Sequence, residues 1–227
     1  MPLNKQKPGS GNMYEFITAT YNPIGGACPH QCVYCSTNKF YYPHLIAKYS
    51  GPPKLIESEL KTNLGSGNFI FVAAQADLFA KDIPEDWIKK IISHCDKYDN
   101  KYLFQSKNPD NMRRILPERS FVCTTLESNR YYPEFMGKSP TPKERVDGMV
   151  KTRHRRYLTL EPLIEFDLNE FVEMIKNIEP EMVNIGLNTY KSIKLPEPPK
   201  EKILELIDEL KKFTVINKKS NLLRALK

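Results

Sequence analysis

Tyr157-Leu158-Thr159-Leu160-Glu161 alternates polar and apolar side chains residue by residue. Successive strand residues point to opposite faces, so Leu158 and Leu160 share one side and Tyr157, Thr159 and Glu161 the other. The pattern recurs outward from this stretch. In 183–188, Val183, Ile185 and Leu187 oppose Asn184, Gly186 and Asn188. In 16–22, Ile17, Ala19 and Tyr21 oppose Thr18, Thr20 and Asn22. Further strands read at 69–75, 102–107 and 121–127, with a short seventh at 214–216. Between them run helical stripes: Ile56, Leu60 and Leu64; Ile88, Ile91, Ile92 and Cys95 behind Pro84; Phe171, Val172, Ile175 and Ile178; Ile203, Leu206, Ile207 and Leu210. Asp167 and Glu170 have the spacing of a capping box before the third stripe. Strands alternating with helices imply an α/β fold of parallel strands joined by helical crossovers. Strands buried on both faces read as unbroken apolar runs, and these do not. A packed barrel interior is filled with branched apolar residues, so the polar face predicts a partial (β/α)6 TIM-type barrel whose polar lumen holds a ligand. An open sheet with one wet face would show the same alternation.

The chain has 227 residues, 40% of them hydrophobic, enough for one core. No composition shift divides it: residues 1–12 read as a flexible arm and 13–227 as a single domain. No apolar run approaches the roughly 20 residues that span a bilayer, and the polar start lacks the apolar region of a signal peptide. The net charge of +7 suits an anionic partner such as nucleic acid, or solubility alone. Five cysteines, three of them within eight residues, make a poor disulfide framework. They fit a reducing, cytoplasmic setting and a metal site.

That cluster is Gly25-Gly26-Ala27-Cys28-Pro29-His30-Gln31-Cys32-Val33-Tyr34-Cys35, directly after the first strand. Thiolates are the usual ligands of iron–sulfur clusters. Glycines let the backbone approach closely, and three ligands leave one position open, as in catalytic metal sites. A zinc site completed by His30 or His44 is the competing assignment, although zinc fingers favour paired cysteines.

The motif Cys28-x-x-x-Cys32-x-x-Cys35, with aromatic Tyr34, resembles the signature of the radical SAM superfamily. The resemblance extends to Phe71–Phe79, Ile83–Ile88, Ser106–Pro109, Thr124–Ser128 and Leu158–Leu163, which are similar to a phage-associated radical SAM-like family of unknown function and, more distantly, to the spore photoproduct lyase group, which acts on DNA. It implies an enzyme in which Cys28, Cys32 and Cys35 hold a 4Fe–4S cluster and the fourth iron takes the methionine part of S-adenosylmethionine (SAM). It implies one-electron reduction by a donor such as flavodoxin or ferredoxin, and cleavage of SAM to methionine and a 5′-deoxyadenosyl radical. Tyr34 would lie near the adenine. The superfamily's Gly-Gly-Glu is replaced by Ala74-Gln75-Ala76-Asp77, so Gln75 or Asp77 would meet the methionine amine. Gln105, Thr125, Glu127 and Glu161 are further candidates for cofactor binding. The carboxylates are equally suited to capping or salt bridges.

By period two, Cys123, Thr125 and Glu127 share a face. A lumen thiol at Cys123 could return a hydrogen atom to a substrate radical; a lone cysteine also serves as a small buried hydrophobe. Cys95 lies in an apolar stripe and reads as core. The basic run 151–156 precedes a strand, so it belongs at the end opposite the strand C-termini and reads as a solvated face. Three functions compete: radical SAM chemistry on a nucleic acid or nucleotide, the same chemistry on a peptide or small metabolite, and a zinc-stabilised nucleic-acid-binding module without catalysis.

Overall fold

The structure is a computed structural model and describes residues 3–6, 14–113, 116–190 and 192–226. Its strands are β1 Asn4–Lys5, β2 Ala19–Tyr21, β3 Ile24–Gly25, β4 Lys54–Leu55, β5 Phe69–Val72, β6 Lys101–Gln105, β7 Ser120–Thr125, β8 Arg155–Leu160, β9 Met182–Ile185 and β10 Val215–Lys218. Its α-helices are α1 Pro43–Lys48, α2 Glu85–Cys95, α3 Pro133–Met136, α4 Pro142–Val150, α5 Leu168–Ile178, α6 Lys200–Leu210 and α7 Leu223–Leu226. Strands β2, β5, β6, β7, β8, β9 and β10 are parallel neighbours in that order, and β1 pairs antiparallel with β2. β3 and β4 form a separate antiparallel pair.

The outer face of the sheet is the main core. Ala19, Tyr21, Ile70, Val72, Leu158, Leu160, Val183 and Ile185 pack there with Ile88, Ile91 and Cys95 of α2, Phe171, Ile175 and Ile178 of α5, and Ile203, Leu206, Ile207 and Leu210 of α6. The inner face curls over. Phe16, ahead of β2, lies 5.5 Å from the Tyr157 ring of β8, and Lys219, just after β10, sits 4.6 Å from the Tyr14 ring. Groups from both sides of the sheet thus meet across the lumen, while β1 and β10 remain its edges among the described residues.

The expected polar lumen is polar only at one end. Its floor, toward the strand N-termini, is a second core of Tyr14, Ile17, Phe71, Leu103, Phe121, Cys123 and Tyr157. Phe69–Phe121 and Phe121–Tyr157 centroids lie 4.9 and 5.0 Å apart, at the usual spacing of stabilising aromatic pairs. Tyr157 counted as polar in the alternation, but most of a tyrosine is apolar ring. Thr125, Thr159 and Gln105 stand one pleat higher, toward the strand C-termini.

Four other expectations change. Asn4–Lys5, inside the arm read as flexible, pairs with Thr20 and Ala19, and the Gln6 N–H donates to the Thr18 carbonyl at 2.8 Å; residues 1, 2 and 7–12 of the arm lie outside the described residues. The stripe Ile56, Leu60, Leu64 forms only a short 3-10 turn, Glu59–Lys61, because Gly51-Pro52-Pro53 and Gly65-Ser66-Gly67 leave too few residues for a stable helix. The Asp167 side chain does not cap α5; Arg130 takes its carboxylate through both Nε and Nη2. A true capping box forms instead at Thr141 and Glu144, starting α4. Finally, the strands end earlier than the alternation extends. Gln75, Lys107, Glu127 and Glu161 all lie beyond their strands, in loops that build the upper end of the lumen.

Candidate cofactor site

β3 leads into Gly26, at φ +83°, where a Cβ would stand 2.1 Å from the Pro52 carbonyl oxygen. Only glycine fits this crossing, and it aims the three-cysteine loop over the strand ends. Within the loop the Gln31 N–H donates to the Cys28 carbonyl and the Cys35 N–H to the Cys32 carbonyl, both at 3.2 Å. Residues 132–138 support it from behind. The Val33 N–H donates to the Phe135 carbonyl (3.1 Å), the Lys138 N–H to the His30 carbonyl (2.7 Å) and the Cys32 thiol to the Met136 carbonyl (3.3 Å). Gly137, at φ +62°, lies so close that a Cβ would be 2.3 Å from the His30 oxygen.

Each interval between cysteines sends one side chain down to a buried carboxylate. His30 Nε2 lies 2.8 Å from Asp77 Oδ2, and the Tyr34 hydroxyl donates to Glu127 Oε1. Asp77 also accepts from the Ser106 hydroxyl (2.7 Å), the Phe79 N–H (2.9 Å) and the Lys107 N–H (2.8 Å). Burial works to raise its pKa, but these donors outweigh it and hold the carboxyl below its usual value. Glu127 accepts from Arg145 Nη1 at 2.6 Å, and both side chains are wholly buried. Arg145 donates further to the carbonyls of Thr125 (2.9 Å) and Pro140 (2.7 Å) and to the Ser139 hydroxyl (2.7 Å). Burial again opposes the charge on Glu127, and Arg145 and Lys107 overcome it, so its pKa is lowered. Lys107 joins both anchors: its N–H serves Asp77, and its ammonium lies 3.5 Å from Glu127 and 5.3 Å from the Tyr34 ring. Burial pushes the Cys28 thiol up to about 12 and also raises Cys32; without a cation to bind, both stay protonated near neutral pH.

Below the loop is a cavity of about 660 Å³, within the range of small-molecule sites. Cys28, Cys32, Cys35, Tyr34, Gln75, Asp77, Gln105, Thr125 and Glu161 all line it, together with Lys107, Tyr190 and Lys219. Gln105 accepts from the Tyr14 hydroxyl (2.8 Å) and donates to Thr125 Oγ1 (3.2 Å). Glu161 accepts from Lys219 and from Asn221 Nδ2, each at 2.5 Å. Gln75 Oε1 is buried here without a hydrogen-bond partner among the described residues, and Thr159 Oγ1 has the Tyr14 hydroxyl beside it. Orphaned buried acceptors are costly and mark places where a ligand donor or water belongs.

Residues 12–178 match the family described as "Protein of unknown function (DUF5131)", about three quarters of the chain. The chain belongs to the DUF5131 family. The fold of this DUF5131 chain is similar to that of spore photoproduct lyase. Two structures of single-residue mutants of that enzyme each give a TM-score of 0.65 at 10% identity, over 94% of this chain and 80% of the other.

The residues present fit the implied cofactors in three respects: three thiols share one cavity wall, the orphaned Gln75 acceptor faces the same space, and its volume suits a nucleoside-sized ligand. Among the described residues no three His, Cys, Asp or Glu side chains converge as a group that could hold a metal ion. A cuboidal cluster needs no such convergence, because each thiolate takes a separate iron. Two expected site residues stand apart from the cavity. Glu127 is shut between loop and α4, and Cys123 is buried in the aromatic floor with its thiol raised to about 12 by burial. That is the environment of a small buried hydrophobe. Arg145, Lys219 and Tyr14 escaped sequence reading, since none belongs to a spaced motif, and Lys107, though inside the Ser106–Pro109 resemblance, was given no role there. A lone arginine in an otherwise mixed helix looks like any surface charge. The run expected to be a solvated face is solvated only in part: Thr152 is buried, Arg155 pairs with Glu181 and stacks 4.4 Å over Phe121, and Arg156 donates to the Ile178 carbonyl.

Proposed function

We propose that this protein is a radical SAM enzyme whose Cys28, Cys32 and Cys35 hold a 4Fe–4S cluster. The carrying observation is the three-cysteine loop roofing a cavity at the strand C-terminal ends, where parallel α/β folds bind ligands. The fold likeness to spore photoproduct lyase supports the same reading. When bound, the cluster would supply the electron that opens the sulfonium C–S bond of SAM, giving methionine and a 5′-deoxyadenosyl radical that abstracts hydrogen from a substrate.

The chain's own contribution is position, charge and exclusion of water. Asp77 and Glu127 act through His30 and Tyr34 to set the height of the cysteine loop. Lys107 places a positive charge beside Cys32, favouring its thiolate. Gln75 Oε1 offers an acceptor for the methionine ammonium. Gln105, Thr125, Thr159 and Glu161 offer partners for ribose and adenine. The aromatic floor closes the lumen to water from below. We further propose a nucleic acid or nucleotide as substrate and a flavodoxin- or ferredoxin-type electron donor.

Anaerobic reconstitution tests this. About four irons and four sulfides per chain are expected, with 5′-deoxyadenosine formed after reduction in the presence of SAM. Replacement of any one of the three cysteines by Ala should remove most of the iron. Stoichiometric zinc without sulfide would overturn the assignment in favour of a zinc-stabilised module.

A further inference from the structure

From Phe16 to Ile56 the chain contains no Asp or Glu, while Lys39, Lys48, Lys54, His30 and His44 fall within it. This is the part that carries the cysteine loop and the lip of the cavity. Ser36, Thr37, Asn38 and Tyr49 line the cavity wall, and Phe40 packs on Tyr49 with ring centroids 5.3 Å apart. The next two residues turn outward. Tyr41 is 86% exposed and Tyr42 60%, the two most exposed aromatic side chains among the described residues. Their rings meet edge to face at 5.7 Å, and Tyr42 stacks at 29° on His44. Among the described residues no carboxylate pairs with Lys39, which stands immediately before this group. The densest basic run, 151–156, is by contrast at the far end of the barrel and largely tied up in ion pairs.

Glu59 neutralises Lys48 at 3.1 Å, but two flat rings held in water beside Lys39, unpaired among the described residues, are costly for solubility and are not explained by packing. We infer that Tyr41 and Tyr42 form a stacking platform for the bases of single-stranded nucleic acid, with Lys39 and Lys54 facing its phosphates. Stacking on aromatic faces with a basic track is how single strands are held without sequence preference. Placement favours this occupant: three residues from Asn38 to Tyr41 span at most about 11 Å. A base stacked on Tyr41 is therefore about a nucleotide or two from the cavity mouth. A duplex keeps its bases stacked inside, whereas a single strand can present one to the cavity. The inference deepens the nucleic-acid substrate proposed above, but binding itself does not require the cluster.

The test is fluorescence anisotropy of labelled thymidine and uridine oligomers, and of a duplex of equal length, with the full chain at about 50 and 200 mM salt. Single strands should bind more tightly than duplex, with affinity falling as salt rises. Tyr41→Ala and Tyr42→Ala should each weaken single-strand binding roughly 5- to 150-fold, the range of one lost stacking contact. Tyr41→Phe and Tyr42→Phe should stay within about 2-fold of the parent, because the ring face is retained. Lys39→Ala should lower the salt slope by about 0.7. Thermal melting of each variant checks that the fold is intact. Equal or tighter binding to duplex, or unchanged affinity in both Ala variants, would overturn the platform. Iron and sulfide analysis of the parent chain separates the two readings: strand binding with no cluster leaves the platform standing and removes the radical SAM assignment.

Discussion

Replacing Arg145 by Met probes the buried pair beneath the cysteine loop. The substitution keeps most of the aliphatic volume but removes four hydrogen bonds, to Glu127, Thr125, Ser139 and Pro140. Breaking a buried ion pair from one side leaves an uncompensated charge and costs about 3–5 kcal/mol, a large share of the roughly 5–15 kcal/mol that stabilises a typical fold. For a chain of this size the melting temperature should fall by about 6–20 °C. The pH dependence gives a sharper signature. In the parent, Glu127 has a lowered pKa, so its contribution is present above the usual glutamate value and is lost as pH falls through the lowered one. Without Arg145, burial is left as the largest influence and the pKa rises. The variant then gains stability by protonating, and its deficit should be largest at pH 8 and shrink toward pH 5. Removing both charges, as Glu127→Gln with Arg145→Met, should cost less than Arg145→Met alone. Urea unfolding of the cluster-free chain at pH 5, 6.5 and 8 measures all three. A deficit below about 1 kcal/mol, or one unchanged across that range, would refute the buried-pair account.

Asp77→Ala strands His30, the Ser106 hydroxyl and two backbone N–H groups; it should lower the urea midpoint by the equivalent of about 2–4 kcal/mol with the slope unchanged, and reduce iron uptake on reconstitution. In the parent, the lowered pKa of Asp77 means its contribution is present above the usual aspartate value and lost as pH falls through the lowered one, which an acid titration of stability will show. Gly137→Ala forces a Cβ into the His30 carbonyl at a left-handed φ and should destabilise by about 2 kcal/mol or more, read by thermal melting and by iron content after reconstitution. Cys123, buried and with its thiol near 12, should stay unalkylated at pH 8 while the urea-denatured chain is labelled fully; peptide mass spectrometry decides, and rapid labelling of native Cys123 would contradict its burial.

Period-two alternation in Tyr157–Glu161 and 183–188, with amphipathic stripes between strands, was enough to determine a parallel α/β sheet with one helix-covered face. The reason is local: side-chain direction along a strand or helix follows from backbone geometry alone. The cysteine spacing likewise marked the loop that roofs the cavity, since side chains close in sequence are close in space. The floor of the lumen was not legible, because Phe71, Leu103, Phe121 and Tyr157 come from four strands and become one cluster only when the sheet curls. Strand ends were also hidden: Ala73, at φ +56°, turns the chain after Val72, although the run through Gln75 reads as continuous strand. Above all, the division of labour among the carboxylates belonged to tertiary structure. Asp77, Glu127 and Glu161 look alike in the sequence, each polar and near a strand end. Only folding brings His30 and three other donors to Asp77, Arg145 of α4 and Tyr34 to Glu127, and Lys219 from beyond the last strand to Glu161. A carboxylate's role depends on which cations and donors surround it in space, and apart from the Phe79 N–H, two residues from Asp77, these partners lie between 18 and 93 residues away in the chain.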